Sequence, residues 1–124
     1  MTPKHFLAFS NENAERTDYD IAPEKLIRGE TRQSTLNMFS DPGNEFHCGI
    51  WESAPALWRV SYSEHEFCHI LQGHIRITDD ADNSITVGPG DNFVISAGFK
   101  GTWETLEHAK KIYVIFERMP ETGA

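Results

Sequence analysis

The sequence predicts an all-β fold, a jelly-roll barrel of short strands, on three observations. From Gly49 to Phe116 apolar residues alternate with polar ones or form runs of only a few residues, with no sustained helical periodicity. Turn-forming groups punctuate these runs: Gln72-Gly73, Asp79-Asp80-Ala81-Asp82-Asn83, Gly88-Pro89-Gly90-Asp91, Ala97-Gly98 and Leu106-Glu107-His108. About eight short strands at this spacing suggest two sheets closed into a jelly roll.

In order along the chain, the expected strands are Phe46 to Glu52, Leu57 to Ser63, Glu66 to Leu71, His74 to Thr78, Ser84 to Val87, Asn92 to Ile95, Lys100 to Thr105 and Lys110 to Glu117. The first 45 residues differ, being polar and interrupted by Pro23, Gly29, Pro42 and Gly43. Weak strand signals lie at Phe6 to Phe9 and Leu36 to Phe39, and Pro23 to Ile27 reads as one helical turn or an edge strand. Residues 10–22 read as an exposed, mobile segment. These features divide the chain into an N-terminal extension with edge-strand segments, residues 1–45, and a barrel core, residues 46–118. Both fall within one domain over residues 1–124, since this length leaves no room for a second.

A hydrophobic fraction of 39% and a charged fraction of 24% fit a soluble globular protein. The net charge of −8 repels phosphate backbones and anionic lipid headgroups, which argues against nucleic-acid and membrane partners. Phe6-Leu7-Ala8-Phe9 is too brief for the apolar core of a secretion signal, so a cytoplasmic location is expected. Cys48 and Cys68 are expected to be free thiols acting as small hydrophobes.

Two blocks carry a family resemblance: Glu66-Phe67-Cys68-His69-Ile70-Leu71-Gln72-Gly73, and Gly88 through Gly98. With Gly49-Ile50-Trp51-Glu52, Trp58-Arg59-Val60, Ala97 through Glu104 and Lys110 through Val114, they span residues 46–116 in order. The chain so resembles the cupin superfamily, and within it the small ureidoglycine-aminohydrolase-like and ethanolamine-utilisation-like cupins, mostly of unassigned activity. The resemblance implies a double-stranded β-helix barrel, often a homodimer. It also marks where a metal would be held, and there the chain departs from the pattern. The first-motif histidine positions fall on Val60 and Tyr62, or on Arg59 and Ser61, and the second-motif histidine position falls on Gly101. Glu66 alone remains of the metal set.

One carboxylate is too little to hold a divalent ion, so no metal cofactor is expected in the usual site. A non-standard site drawn from His47, His65, His69, His74 and His108 is the other route to a metal, although strand alternation turns His65 and His69 away from Glu66. Glu66 shares the barrel-lining face with Tyr62, Trp58, Val60, Cys68 and Ile70, where an ionised carboxylate needs a partner. Arg59, Tyr62, Lys100 and the indoles of Trp51 and Trp103 are the candidate partners. Glu66 is the candidate catalytic acid or base, with half of a structural pair as the alternative. Trp51, Trp58 and Trp103 read individually as core filling and collectively as the wall of a pocket. Cys68 reads as a buried structural thiol, and the Asp79 to Asp82 cluster as a solvated hairpin tip.

The expected function is binding of a small polar metabolite in the barrel cavity by Tyr62, Glu66, Trp51, Trp103, Arg59 and Lys100. One alternative is a metal-dependent aminohydrolase-like enzyme acting on a small nitrogen-containing metabolite; another is a non-catalytic structural or assembly protein. The N-terminal strand signals also suggest a homodimer formed by strand pairing across a two-fold axis.

Overall fold

The computed structural model describes residues 5–120, and among these residues no helix is present. Eleven strands follow in order: β1 (Glu15–Asp20), β2 (Leu26–Gly29), β3 (Arg32–Ser40), β4 (Phe46–Ser53), β5 (Ala56–Ser61), β6 (His65–Gln72), β7 (Ile75–Asp79), β8 (Ser84–Val87), β9 (Asn92–Ile95), β10 (Lys100–Thr105) and β11 (Ala109–Phe116). They form a six-stranded sheet, β1-β3-β4-β11-β6-β9, and a five-stranded sheet, β2-β5-β10-β7-β8. From β4 to β7 the chain steps back and forth between sheets, so residues adjacent in sequence line opposite walls of the barrel.

The expected strands of the core are present, most of them shifted by a residue or so at their ends. The N-terminal region departs further. Phe6 to Phe9 forms no strand; a strand instead occupies Glu15–Asp20, inside the segment read as mobile. All six residues of β1 are exposed, yet they pair with β3 from Glu15↔Asn37 to Asp20↔Arg32. The reason is physical: an edge strand is held by backbone pairing and needs no buried face, so it leaves no apolar period in its sequence. Pro23 to Ile27 resolves as a turn closed by Lys25 N–H donating to Ala22 O at 2.9 Å, followed by edge strand β2. The weak signal at Leu36 to Phe39 extends to the nine residues of β3.

Register fixes which side chains face inward. Trp51 of β4 lies opposite Thr35 of β3 and Lys111 of β11, and Lys111 lies opposite Ile70 of β6. Directly opposed residues share a face, so these four point into the barrel. Trp103 of β10 is likewise opposite Trp58 of β5 and Ile77 of β7. The core forms where the two sets meet: Trp51, Trp58 and Trp103 pack with ring centroids 5.4 to 6.3 Å apart, surrounded by Ile70, Ile75, Ile77 and Ile95.

The polar turns are tied by their own residues. Asp79 accepts from Ala81 N–H and Asn83 N–H, each at 2.9 Å, and from the Asn83 amide at 3.0 Å, which commits this carboxylate to closing the hairpin tip. Gly88 N–H donates to Asp91 Oδ2 at 2.8 Å in the Gly88 to Asp91 turn. Gly73 has φ +84°, and a Cβ there would lie 2.4 Å from the His108 carbonyl oxygen. Cys48 and Cys68 are both free. They lie opposite Val114 and Tyr113, successive residues of β11, and so point to opposite faces of the sheet.

A buried lysine and carboxylate as the candidate functional site

Glu66 sits near the start of β6, where the alternation of His65–Gln72 buries Glu66, Cys68 and Ile70 and exposes Phe67 and Leu71. Its partner comes from the neighbouring strand. Lys111 Nζ lies 2.9 Å from Glu66 Oε2, and the two side chains are only 5% and 6% exposed. The same ammonium rests over the rings of Trp51, at 4.6 Å from the centroid, and Trp103, at 4.2 Å. A buried ammonium is expensive to desolvate; here a carboxylate and two negative ring faces offset that cost.

The titration behaviour follows from these contacts. Burial alone would lower the Lys111 pKa, but the adjacent Cys68 and Glu66 outweigh it and hold the lysine above its ordinary value of 10.5. Burial pushes the Cys68 thiol up to about 12, so at neutral pH it is a thiol and the Glu66 carboxylate is what retains the lysine proton. The Tyr62 phenol, raised first by burial and then by the charge of Glu66 beside it, stays protonated and able to donate to that carboxylate. The arrangement is a cation, an anion and a neutral donor in a shell of aromatic rings.

Of the residues singled out from the sequence, the structure brings Glu66, Tyr62, Trp51 and Trp103 together. Arg59 and Lys100 lie elsewhere: both are exposed, on the outer surface, where they line a groove of about 640 Å³ with Asp79, Asp80 and Asp82. Strand parity separates them, since Arg59 follows the buried Trp58 and points the other way. Sequence reasoning missed Lys111. The signal was legible in Lys110-Lys111-Ile112-Tyr113, because two adjacent lysines in one strand must face opposite sides, and Lys111 shares the parity of the buried Ala109 and Tyr113.

A second set of polar contacts lies toward the other end of the barrel. Trp51 Nε1 donates to Gln33 Oε1 at 3.2 Å, and Trp103 Nε1 donates to Thr105 Oγ1 at 3.3 Å. The Thr105 hydroxyl in turn donates to Ser53 Oγ at 3.3 Å. Because the indole N–H fixes the Gln33 oxygen toward Trp51, the Gln33 nitrogen points away and is buried without a partner.

A divalent ion does not fit this donor set. Among the described residues no three His, Cys, Asp or Glu side chains converge in a metal-binding group. Val60 and Gly101, opposite one another on β5 and β10, carry no donor side chain, and a Cβ on Gly101 would lie 2.0 Å from the Thr78 carbonyl oxygen. Where a cation would meet Glu66, the chain has already placed an ammonium.

Two antiparallel sheets facing one another around a shared core are the architecture of a cupin. The chain belongs to the EutQ-like cupin domain family, whose model matches residues 40–113. Among curated proteins no match was found. The chain is similar to the EutQ protein of Clostridium difficile, with 20% identity and a TM-score of 0.61 over 68% of this chain and 61% of that one. It is similar to a protein of unknown function from Pseudomonas syringae, with 22% identity and a TM-score of 0.74 over 82% of this chain and 44% of that one. A putative ethanolamine utilization protein Q from Salmonella typhimurium shows 13% identity and a TM-score of 0.62 over 83% of this chain and 96% of that one. The chain thus spans under two thirds of the first two relatives. Identities this low speak for a shared fold and nothing finer. Among the described residues no helix is long and apolar enough to cross a membrane.

Proposed function

We propose that this cupin binds a small polar metabolite at the Glu66–Lys111 pair, with Tyr62 as a third contact, and does so without a metal. The observation that carries the reading is the pair itself. Two opposite charges 2.9 Å apart, each almost fully buried, stand where the cupin pattern has its ion. Such a pair is a poor device for stability alone, since apolar residues of similar volume serve as well or better. As a recognition element it offers an acceptor and a donor side by side, matching an amide or an amino-acid-like ligand. Partly exposed Tyr62, Phe93, Phe99 and Ile115 pack against the core at the Glu66 end, so a ligand reaching the pair from that end must displace or pass between them. The buried, unpartnered Gln33 nitrogen adds a second interior donor to the same barrel. Glu66 is the group able to exchange a proton with a bound substrate, should the site be catalytic.

The test is calorimetric titration of the purified chain with a panel of small amides, amines and amino acids, repeated with Glu66→Gln and Lys111→Met. Binding to the wild type that falls at least about tenfold in both variants supports the reading. Binding unchanged in either variant overturns it. Elemental analysis of protein purified without added ions is the companion measurement, and one tightly held metal equivalent per chain would favour the metal-dependent aminohydrolase alternative.

A further inference from the structure

One histidine of the chain is aimed at a hydroxyl. Among the described residues His65, His69, His74 and His108 meet a backbone N–H, an amide oxygen or a carboxylate, whereas His47 Nδ1 lies 2.6 Å from Ser40 Oγ. The two residues are opposite one another at the loop end of the β3–β4 hairpin. Their row continues through Ile115 to Glu66, so they share the barrel-lining face at its Glu66 end. Ser40 is exposed and His47 half-buried, which leaves the hydroxyl open to solvent.

Local structure builds this contact. A bulge between Asn37 and Phe39 inserts Met38, so Asn37 and Ser40, three apart in sequence, point to the same face. Asn37 Nδ2 then donates to Ser40 Oγ at 2.9 Å. The buried Tyr113 hydroxyl donates to Asn37 Oδ1 at 2.8 Å, which fixes the amide with its nitrogen toward the serine. Gly49 leaves the room, because a Cβ there would lie 2.7 Å from the Tyr113 hydroxyl. On the far side of the ring, His47 Nε2 donates to the Asn44 carbonyl at 3.3 Å. The loop that carries this carbonyl is tied by Asp41, whose Oδ1 accepts from Glu45 N–H at 2.8 Å and Phe46 N–H at 3.1 Å. With its proton on Nε2, the neutral imidazole turns the lone pair of Nδ1 toward Ser40.

We propose that Ser40 is an activated nucleophile, with His47 as its general base, that accepts acyl groups from small activated esters. The parts are those of hydroxyl activation: a nucleophile hydrogen-bonded to a base, and a base oriented by a third group. In the acylation step Ser40 Oγ bonds to the ester carbonyl carbon and its proton passes to His47 Nδ1. The bond from that carbon to the leaving oxygen then breaks, and the proton is handed on to the departing alcohol. The Asn37 amide, already at Oγ, lies beside the oxygen that becomes negative when the carbonyl is attacked. The step uses neither Glu66 nor Lys111 and is separate from ligand binding at that pair.

The test is covalent labelling of the full chain with an alkyl fluorophosphonate, whose phosphorus bonds to an activated serine oxygen as fluoride leaves, read by intact mass and peptide mapping. The expected result is an adduct on Ser40, with Ser84, exposed and opposite Thr78, as the unlabelled control. His47→Gln should slow the labelling at least about tenfold. Should that variant fail to fold, His47→Phe, which keeps the ring and removes both nitrogens, takes its place. Release of p-nitrophenol from p-nitrophenyl acetate should likewise fall at least about tenfold in Ser40→Ala. No metabolite is added, so labelling reports on Ser40 whether or not the Glu66–Lys111 pair takes a ligand. An unlabelled Ser40, equal labelling of Ser84, or a rate that falls by less than these amounts in the variants overturns the proposal.

Discussion

Lys111 Nζ lies 2.9 Å from Glu66 Oε2 in the middle of a barrel whose other lining is largely aromatic and aliphatic. The two residues stand on neighbouring strands of one sheet, β11 and β6, and are offset along them: Ile70 lies opposite Lys111 and Ile115 opposite Glu66. Lysine's long stem bridges that offset while its head caps two indole rings. A shorter cation on β11 would not reach.

Breaking this pair one side at a time should be costly. Lys111→Met or Glu66→Leu alone leaves an uncompensated buried charge, and each is expected to lower the unfolding free energy by about 3–5 kcal/mol in urea denaturation. The double variant should recover to within about 2 kcal/mol of wild type, because both charges are gone together. Additive losses would show that the two groups are not coupled.

Stability should fall in alkali. The unfolded Cys68 loses its proton near its ordinary 9.0, whereas the folded thiol holds on to about 12, so folding is progressively disfavoured as pH rises between those values. Lys111 acts in the same direction: its folded pKa is raised, so its contribution is complete below 10.5 and is lost as pH climbs through the folded value. Melting temperature recorded against pH should be flat approaching 9 and decline above it, and Cys68→Ala should delay the onset of the decline toward 10.0, where the Tyr62 and Tyr113 phenols, both raised in the fold, take over.

Gly101 should resist even the smallest side chain. Its added Cβ would meet the Thr78 carbonyl oxygen at 2.0 Å, an obstacle made of backbone that cannot rotate aside. Gly101→Ala is expected to cost about 1–3 kcal/mol by chemical denaturation. A neutral result would mean that β7 and β10 slide apart more easily than their pairing implies.

Truncation should separate the parts of the N-terminal region. Removing residues 1–20 deletes β1, whose six residues are exposed, and should leave a cooperative fold weakened by about 2 kcal/mol or less. Removing residues 1–45 also takes Ile21, Gln33, Ser34 and Met38, all buried, and should abolish cooperative unfolding by circular dichroism. A stable chain beginning at residue 46 would make the barrel core independent of β3.

Much of the fold was written in local pattern. Period-two alternation with glycine and aspartate turns placed the barrel strands, and the parity of Glu66, Cys68 and Ile70 on one face followed from it. Strand β1 was hidden because a strand exposed on both faces needs no apolar alternation, and its only constraint is the register of β3. Glu66 was identifiable as an inward carboxylate and Tyr62 as its neighbour, but among the candidate partners Arg59, Tyr62, Lys100 and the indoles of Trp51 and Trp103 the cation Lys111 was absent. Arg59 and Lys100 proved to be on the outer surface.

What the amino-acid order decided by itself is which residues point inward, since alternation along a strand is a property of the chain. Which inward residues meet was decided only when β11 was laid between β4 and β6, bringing Lys111 to a carboxylate 45 positions earlier. Sheet order depends on the joint burial of every strand at once, and no short stretch of sequence carries that information.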